Sequence, residues 1–278
     1  MVYKKSGYVF VSEKGRKMKF RPCIDIHDGS VKQIVGGSLK NSTNFVVENF
    51  VSNQDAGFYA DLYKKNNLKG GHIILLNQAG TPEYEKDLEQ AFLALSRFPQ
   101  GLQIGGGVTA ENAGLFLEKG ASHVICTSYV FQNGKIHYDN LKALLKETRT
   151  KDATRLVLDL SCRKKGQDYY IVTNRWEQFT DTRVTEETLA NLSQYCDEFL
   201  IHAVDVEGKA RGIETELVKL LGRFQDKPIT YAGGVGSYED ILLLKELGNN
   251  HLDVTIGSAL DLFGGKLEFT KVLDVINQ

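Results

Sequence analysis

The chain has 278 residues and a formal net charge of −1 at pH 7, a balance that excludes a basic nucleic-acid face or a polybasic membrane patch. Hydrophobic residues make up 42% and charged residues 25%, enough apolar material for a large core beneath an ordinary polar surface. The longest apolar runs, Ile73–Leu76 and Ile241–Leu244, fall far short of the roughly 18 residues a membrane span needs. The lysine-bearing start likewise lacks the apolar stretch of a secretory leader.

In chain order, residues 1–17 read as an N-terminal extension, with Tyr8–Val11 and Gly15 suited to a small hairpin or to no role at all. The barrel-forming part is expected to be one domain over 18–278. Strand-length apolar runs follow at Phe20–Ile26, His72–Asn77, Leu102–Ile104, His123–Thr127, Leu156–Leu160, Phe199–His202, Ile229–Ala232 and Val254–Ile256. Between and after them, helical patterns occupy Phe58–Lys65, Glu85–Arg97, Ala110–Lys119, Asp139–Thr148, Glu186–Cys196, Glu214–Arg223, Tyr238–Leu247 and Lys266–Ile276. In the seventh helix Ile241, Leu244 and Leu247 recur at helical spacing and face a sheet. Eight strands alternating with eight helices predict an α/β fold closed as a (β/α)₈ TIM barrel. An open doubly wound sheet would place a G-x-G-x-x-G turn after its first strand, and none follows Ile26. The four cysteines (Cys23, Cys126, Cys162, Cys196) are far apart, which suits reduced thiols in a cytoplasmic protein better than a disulfide frame or zinc site.

A half-barrel internal repeat is written into the glycines. Gly106-Gly107-Val108-Thr109 leads through a helix to a strand ending in Thr127-Ser128. Gly233-Gly234-Val235-Gly236-Ser237 leads in the same way to Gly257-Ser258, about 128 residues later. Glycine pairs are common in a chain with 27 glycines; the ordered context, given twice, carries the signal. Glycines ending a strand expose backbone N–H groups, and a small or hydroxyl pair opening the next helix adds further donors and the helix dipole. Gly106, Gly107, Thr127 and Ser128 are therefore expected to hold one phosphate, and Gly233, Gly234, Gly257 and Ser258 another. The ligand implied is a small molecule with a phosphate at each end.

Asp25 on strand 1 and Asp159 on strand 5 are 134 positions apart and occupy equivalent places in the two halves. A lone Asp in an apolar strand is usually a hydrogen-bonding residue. A matched pair on opposite walls of a barrel mouth suits proton removal by one group and proton supply by another.

These residues resemble a known family. The segments Cys23-Ile24-Asp25-Ile26-His27-Asp28-Gly29, Gly105–Val108, Tyr231–Ser237 and Leu158-Asp159-Leu160-Ser161-Cys162-Arg163 are similar to those of the phosphoribosylformimino-aminoimidazole carboxamide ribotide isomerases of histidine biosynthesis. Ile201–Gly208 and Gly257–Gly265 resemble the fungal version. The resemblance runs from about Lys19 to the C-terminus. It implies a cofactor-free, metal-free Amadori rearrangement of an aminoaldose to an aminoketose, in a protein expected to be monomeric. By that resemblance Asp25 is the general base and Asp159 the general acid, while His72 contacts the substrate. Trp176 either covers the ligand or anchors the strand-5 loop.

Several positions depart from the bacterial pattern. Leu75 replaces an acidic residue, with Asn77 as a possible substitute, and Gln33 stands where a basic residue is common. In the loop after strand 6, either His202 or Asp205 assists proton transfer. Arg163, in the basic run Arg163-Lys164-Lys165, is expected to help draw in the doubly phosphorylated ligand. The related cyclase, which works with a glutaminase partner, normally carries a lysine where this chain has Gln33. A barrel that only binds a sugar bisphosphate leaves the two matched aspartates without a purpose. A metal-dependent epimerase is set aside because no His/Asp/Glu set repeats across the strand ends.

Overall fold

A computed structural model describes residues 16–34, 48–151, 153–174 and 176–278. Eight parallel strands form its centre: β1 (Cys23–His27), β2 (Gly71–Leu75), β3 (Leu102–Gly105), β4 (Val124–Cys126), β5 (Leu156–Asp159), β6 (Glu198–His202), β7 (Ile229–Ala232) and β8 (Leu252–Thr255). Each pairs in parallel with the next. The ring closes where Phe20, just ahead of β1, bridges Val254 of β8. Two backbone bonds make that seam, Arg21 N–H to Val254 O (2.8 Å) and Val254 N–H to Lys19 O (3.0 Å). The closed (β/α)₈ barrel expected from the alternation is thus present, and closure leaves no edge among these eight strands.

The helices are α1 (Ala56–Lys65), α2 (Pro82–Arg97), α3 (Ala110–Glu118), α4 (Tyr138–Thr148), α5 (Glu186–Leu192), α6 (Thr215–Arg223), α7 (Tyr238–Leu247) and α8 (Phe269–Asn277). Their starts follow from local chemistry. Thr81 caps α2 by accepting from Tyr84 N–H, Pro82 fits the first turn, and Glu83 and Glu85 complement the positive helix end. Ser237 and Asp240 cap α7 reciprocally. The fifth helix is shorter than the expected Glu186–Cys196. Ser193 turns its hydroxyl back onto Ala190 O, and Tyr195 N–H closes a tight turn onto Leu192 O. Among the described residues, no helix is long and apolar enough to cross a membrane.

Inside the ring, residues lie in layers. At the strand starts, Arg21 bonds Asp253 (2.9 Å) and lies 3.6 Å from Glu198, which also accepts from Gln103 (3.0 Å). Above this floor Ile74, Ile125, Val157, Leu200 and Ala232 pack as a small apolar plug, separate from the main core between sheet and helices. The strand C-termini above the plug carry the polar residues considered next, as in other barrels of this kind. Of the expected N-terminal extension, the hairpin at Tyr8–Val11 lies outside the described residues. Its Arg16 lies within them and bonds buried Asp253 at 2.8 Å, and Met18, the first residue of the expected barrel domain, is buried.

Three additions to the ring have no counterpart in the strand expectations, the smallest a short hairpin of Phe131–Gln132 and Lys135–Ile136 after β4. After β1, an Asp28-Gly29 turn with both φ positive (52° and 71°) folds Ser30–Ile34 back antiparallel to β1, and Glu48–Val51 pairs with it. After β5, Cys162–Lys165, Asp168–Thr173 and Gln178–Arg183 form an antiparallel three-stranded flap.

Candidate active site

Two chambers open at the C-terminal face. The larger, about 470 Å³, has Gly106, Gly107, Thr127 and Ser128 in its wall, and the smaller, about 40 Å³, has Gly233, Gly234, Gly257 and Ser258. Four side chains belong to both: Asp25, Gln33, His202 and Glu207. Asp159 and Trp176 line the larger chamber, His72 the smaller.

The repeat is conformational as well as sequential. Gly106 and Gly107 have φ of 99° and 70°, and Gly233 and Gly234 have 120° and 78°, so each pair leaves its strand through a left-handed step that other residues rarely take. A Cβ on Gly106 would run into Leu75 O, and one on Gly234 into Gly212 O. The pairs following β4 and β8 behave differently from expectation. Neither Thr127-Ser128 nor Gly257-Ser258 opens an α-helix. Val130 and Phe131 N–H both turn back to Thr127 O, and α4 starts only at Tyr138. Leu260 N–H likewise turns back to Gly257 O, ahead of a single 3-10 turn at Asp261–Phe263. The Thr127 hydroxyl donates to Asp159 Oδ2 at 3.1 Å.

The matched aspartates have unlike surroundings. Burial raises the Asp25 carboxyl to about 7, and the nearby Glu207 carboxylate adds to the rise. His202 and the hydrogen bond from Gln33 Nε2 (3.0 Å) oppose it. Burial also presses Asp159 upward, but there it is outweighed. His202 lies 3.5 Å away through Nδ1, the Ser161 hydroxyl and backbone N–H each donate at 2.8 Å, and Thr127 donates as well, so Asp159 is held below the usual carboxylate range. For His202, burial favours the neutral ring, yet the bond to Asp159 and the charges of Asp159, Glu207 and Asp25 lift it to about 9. At neutral pH the site therefore holds an imidazolium beside an ionised Asp159, facing an Asp25 poised between its two forms.

His72 is buried and pushed down to about 3, first by burial and then by the positive His202, whose ring centroid lies 6.3 Å away. It is a neutral imidazole. Trp176, at the tip of the flap with φ of 68°, leans over His202 at 5.9 Å between ring centroids. Geometry separates the two residues named after strand 6. His202 enters the cavity, whereas Asp205 pairs with Arg163 (2.9 Å) and accepts from Lys164 N–H (2.8 Å), tying the β6 loop to the flap. Neither Arg163 nor Asp205 lines the two chambers. Asn77 exchanges two hydrogen bonds with Asp28 at the β1 turn (2.7 and 3.1 Å) and does not replace an acidic group at Leu75.

Two site residues escaped the sequence reading. Glu207 is half-buried, desolvation raises its carboxyl, and its enclosed Oε2 lacks a hydrogen-bond partner among the described residues. Nothing in the local pattern distinguishes it from Asp205 two positions earlier. Gln33 was read as a missing cation; the Asp28-Gly29 hairpin signal shows how it returns over Asp25. The structure also gathers Cys23, Asp25 and His72, whose ligand atoms lie within 4.8 Å of one another. The group sits on two adjacent strands and has no counterpart in the half-barrel repeat.

Fold and cavity together define a (β/α)₈-barrel enzyme with an acid–base centre at its strand C-termini. The chain belongs to the histidine biosynthesis protein family, whose sequence pattern matches residues 19–268. It is 48% identical over 265 residues to a chloroplastic 1-(5-phosphoribosyl)-5-((5-phosphoribosylamino)methylideneamino)imidazole-4-carboxamide isomerase of Medicago truncatula, covering 94% of this chain and 82% of the relative. Isomerases of the same name from Neurospora crassa (46% identity, 89% of this chain and 94% of the relative) and Saccharomyces cerevisiae (42%, 90% and 94%) are similar over nearly their whole lengths.

Proposed function

We propose that this chain is the isomerase of histidine biosynthesis that converts the phosphoribosylformimino aminoaldose to its aminoketose. The observation that carries the reading is the placing of Asp25 and His202–Asp159 where two glycine-walled chambers meet. A substrate phosphorylated at both ends spans such a cavity with its reacting ribose at the junction. The glycine pairs and Ser128 and Ser258 then face the phosphates, and orientation from both ends supplies much of the rate.

The chemistry needs one proton delivered and one removed. The His202 imidazolium, held by Asp159, gives its proton to the ring oxygen as the C1–O bond breaks and the nitrogen lone pair forms a C1=N⁺ bond. Asp25 then takes the C2 proton, producing an enolamine, which becomes the aminoketose as C1 gains a proton and the C2 hydroxyl loses one. Asp159 stays ionised throughout and acts through His202. This departs from the expectation that Asp159 is itself the acid; a carboxyl held below its usual range is a poor proton donor at neutral pH. Glu207 raises the basicity of Asp25. Trp176 covers His202 and limits water.

The test is conversion of the bisphosphorylated aminoaldose by the purified chain in a chelator, with ammonia-dependent cyclisation of the product measured alongside. Isomerisation without cyclisation is expected. Cyclisation at a comparable rate, or neither reaction, overturns the assignment.

A further inference from the structure

Beneath the junction of the chambers, three donors of different chemistry turn toward one point. Cys23 and Asp25 are two apart on β1 and so share a face. His72 of β2 is the direct ladder partner of Cys23. Their Sγ, carboxylate oxygen and ring nitrogen lie within 4.8 Å of one another, and all three residues line the smaller chamber of about 40 Å³. One water needs about 10–15 Å³ by the same measure, so an ion with a water fits.

We propose that Cys23, Asp25 and His72 form an inhibitory site for a thiophilic divalent cation, Zn²⁺ or Cd²⁺. A thiolate, an imidazole and a carboxylate are the donor set such ions select over Mg²⁺ or Ca²⁺. Two anionic ligands and one neutral ring balance a dication, so the loaded centre carries no net charge into the interior. Zinc distances of 2.0–2.3 Å place tetrahedral donors about 3.3–3.8 Å apart, so the side chains draw together by about an ångström. The Cys23 proton passes to solvent as the sulfur–metal bond forms. Gln33 Nε2 lies 3.0 Å from Asp25 and 3.8 Å from Cys23 Sγ; turning its amide over presents an oxygen as a fourth ligand. The positive His202 opposes the ion, and Glu207 and Asp159 offset it. Binding stands on this geometry alone. Inhibition rests on the role proposed for Asp25, which the metal would withdraw from proton transfer.

The full chain, chelator-treated and reduced, is titrated with CdCl₂ while the ultraviolet cadmium–thiolate charge-transfer band is followed. One equivalent should saturate the band in the wild type and in serine variants of Cys126, Cys162 and Cys196. The band should vanish in Cys23→Ser. His72→Asn should keep the thiolate band but bind at least about tenfold more weakly, which keeps the test open should Cys23→Ser not fold. Zn²⁺ should inhibit wild-type turnover reversibly by chelator, and at least about tenfold less well in Cys23→Ser. A band that follows another cysteine, unchanged affinity in His72→Asn, or no saturable band overturns the site. A saturable Cys23-dependent band without inhibition would leave the site standing and count against the role of Asp25.

Discussion

Asp25→Asn should cut turnover steeply and stabilise the fold at alkaline pH. A carboxyl raised from 3.8 to about 7 binds its proton more tightly in the folded chain than in the unfolded one. The stability this contributes is fully present below pH 3.8 and is lost as pH rises through about 7. At ~1.36 kcal/mol for each tenfold in proton affinity, the loss is about 4 kcal/mol. Asparagine keeps a carbonyl for the Gln33 amide but carries no charge to bury. With Asp25 not fully closed off from solvent, the variant is expected to be about 2–4 kcal/mol more stable than wild type near pH ~8, with the gap closing near pH ~4. For a chain of this length that is a rise in melting temperature of about 3–7 °C. Urea unfolding at both pH values measures it, and kcat should fall by about 10²–10⁴. A variant less stable than wild type at the higher pH, or a difference independent of pH, would refute the claim that burial of an inadequately compensated charge sets the Asp25 carboxyl.

The wild-type kcat/KM profile should rise through about 7 as Asp25 ionises and fall through about 9 as His202 loses its proton; a flat profile across that range would dismiss both roles. His202→Asn should remove the alkaline fall and cost about 10²–10⁴ in kcat, while a profile unchanged in shape would count against it. Gln33→Leu deletes a bond that favours ionised Asp25, so its acid limb should move to higher pH, and Gln33→Lys should move it lower; opposite shifts in the kcat/KM profile refute the coupling. Gly234→Ala forces a Cβ against Gly212 O in a left-handed step, and should cost at least about 1 kcal/mol of stability and raise KM more than it lowers kcat. Equal loss in both kinetic constants would argue against a phosphate subsite there.

The fold was legible because its signals are periodic. Each strand is an apolar run, and each helix repeats its buried positions, as Ile241 and Leu244 do on α7. Ends were less legible. Ser193 and Tyr195 close α5 early through local hydrogen bonds. The polar strands Ser30–Ile34, Cys162–Lys165 and Gln178–Arg183 carry little apolar pattern, whereas Tyr169-Tyr170-Ile171-Val172 in the flap is a strand signal outside the eight-fold alternation. The loops after β4 and β8 were read as helix starts because small hydroxyl residues favour caps, but both also favour turns, and here the turn forms.

At the site, position was legible and charge was not. The half-barrel repeat placed Asp25 and Asp159 correctly on facing strands, because strand order and spacing fix where a Cα lies. Ionisation depends on neighbours from other strands, and the repeat is broken in those neighbours. Around Asp159 stand His202, Ser161 and Thr127, all donors. Around Asp25 stand one amide and a second carboxylate, Glu207. The same residue at the same place in each half is therefore a stable anion on one wall and a titrating group on the other. On the proposed mechanism, that asymmetry lets one wall hold the proton donor while the other supplies the base. His202 is the largest of the influences that hold Asp159 ionised, with Ser161 and Thr127 adding to it; in the proposed mechanism it is also the proton donor.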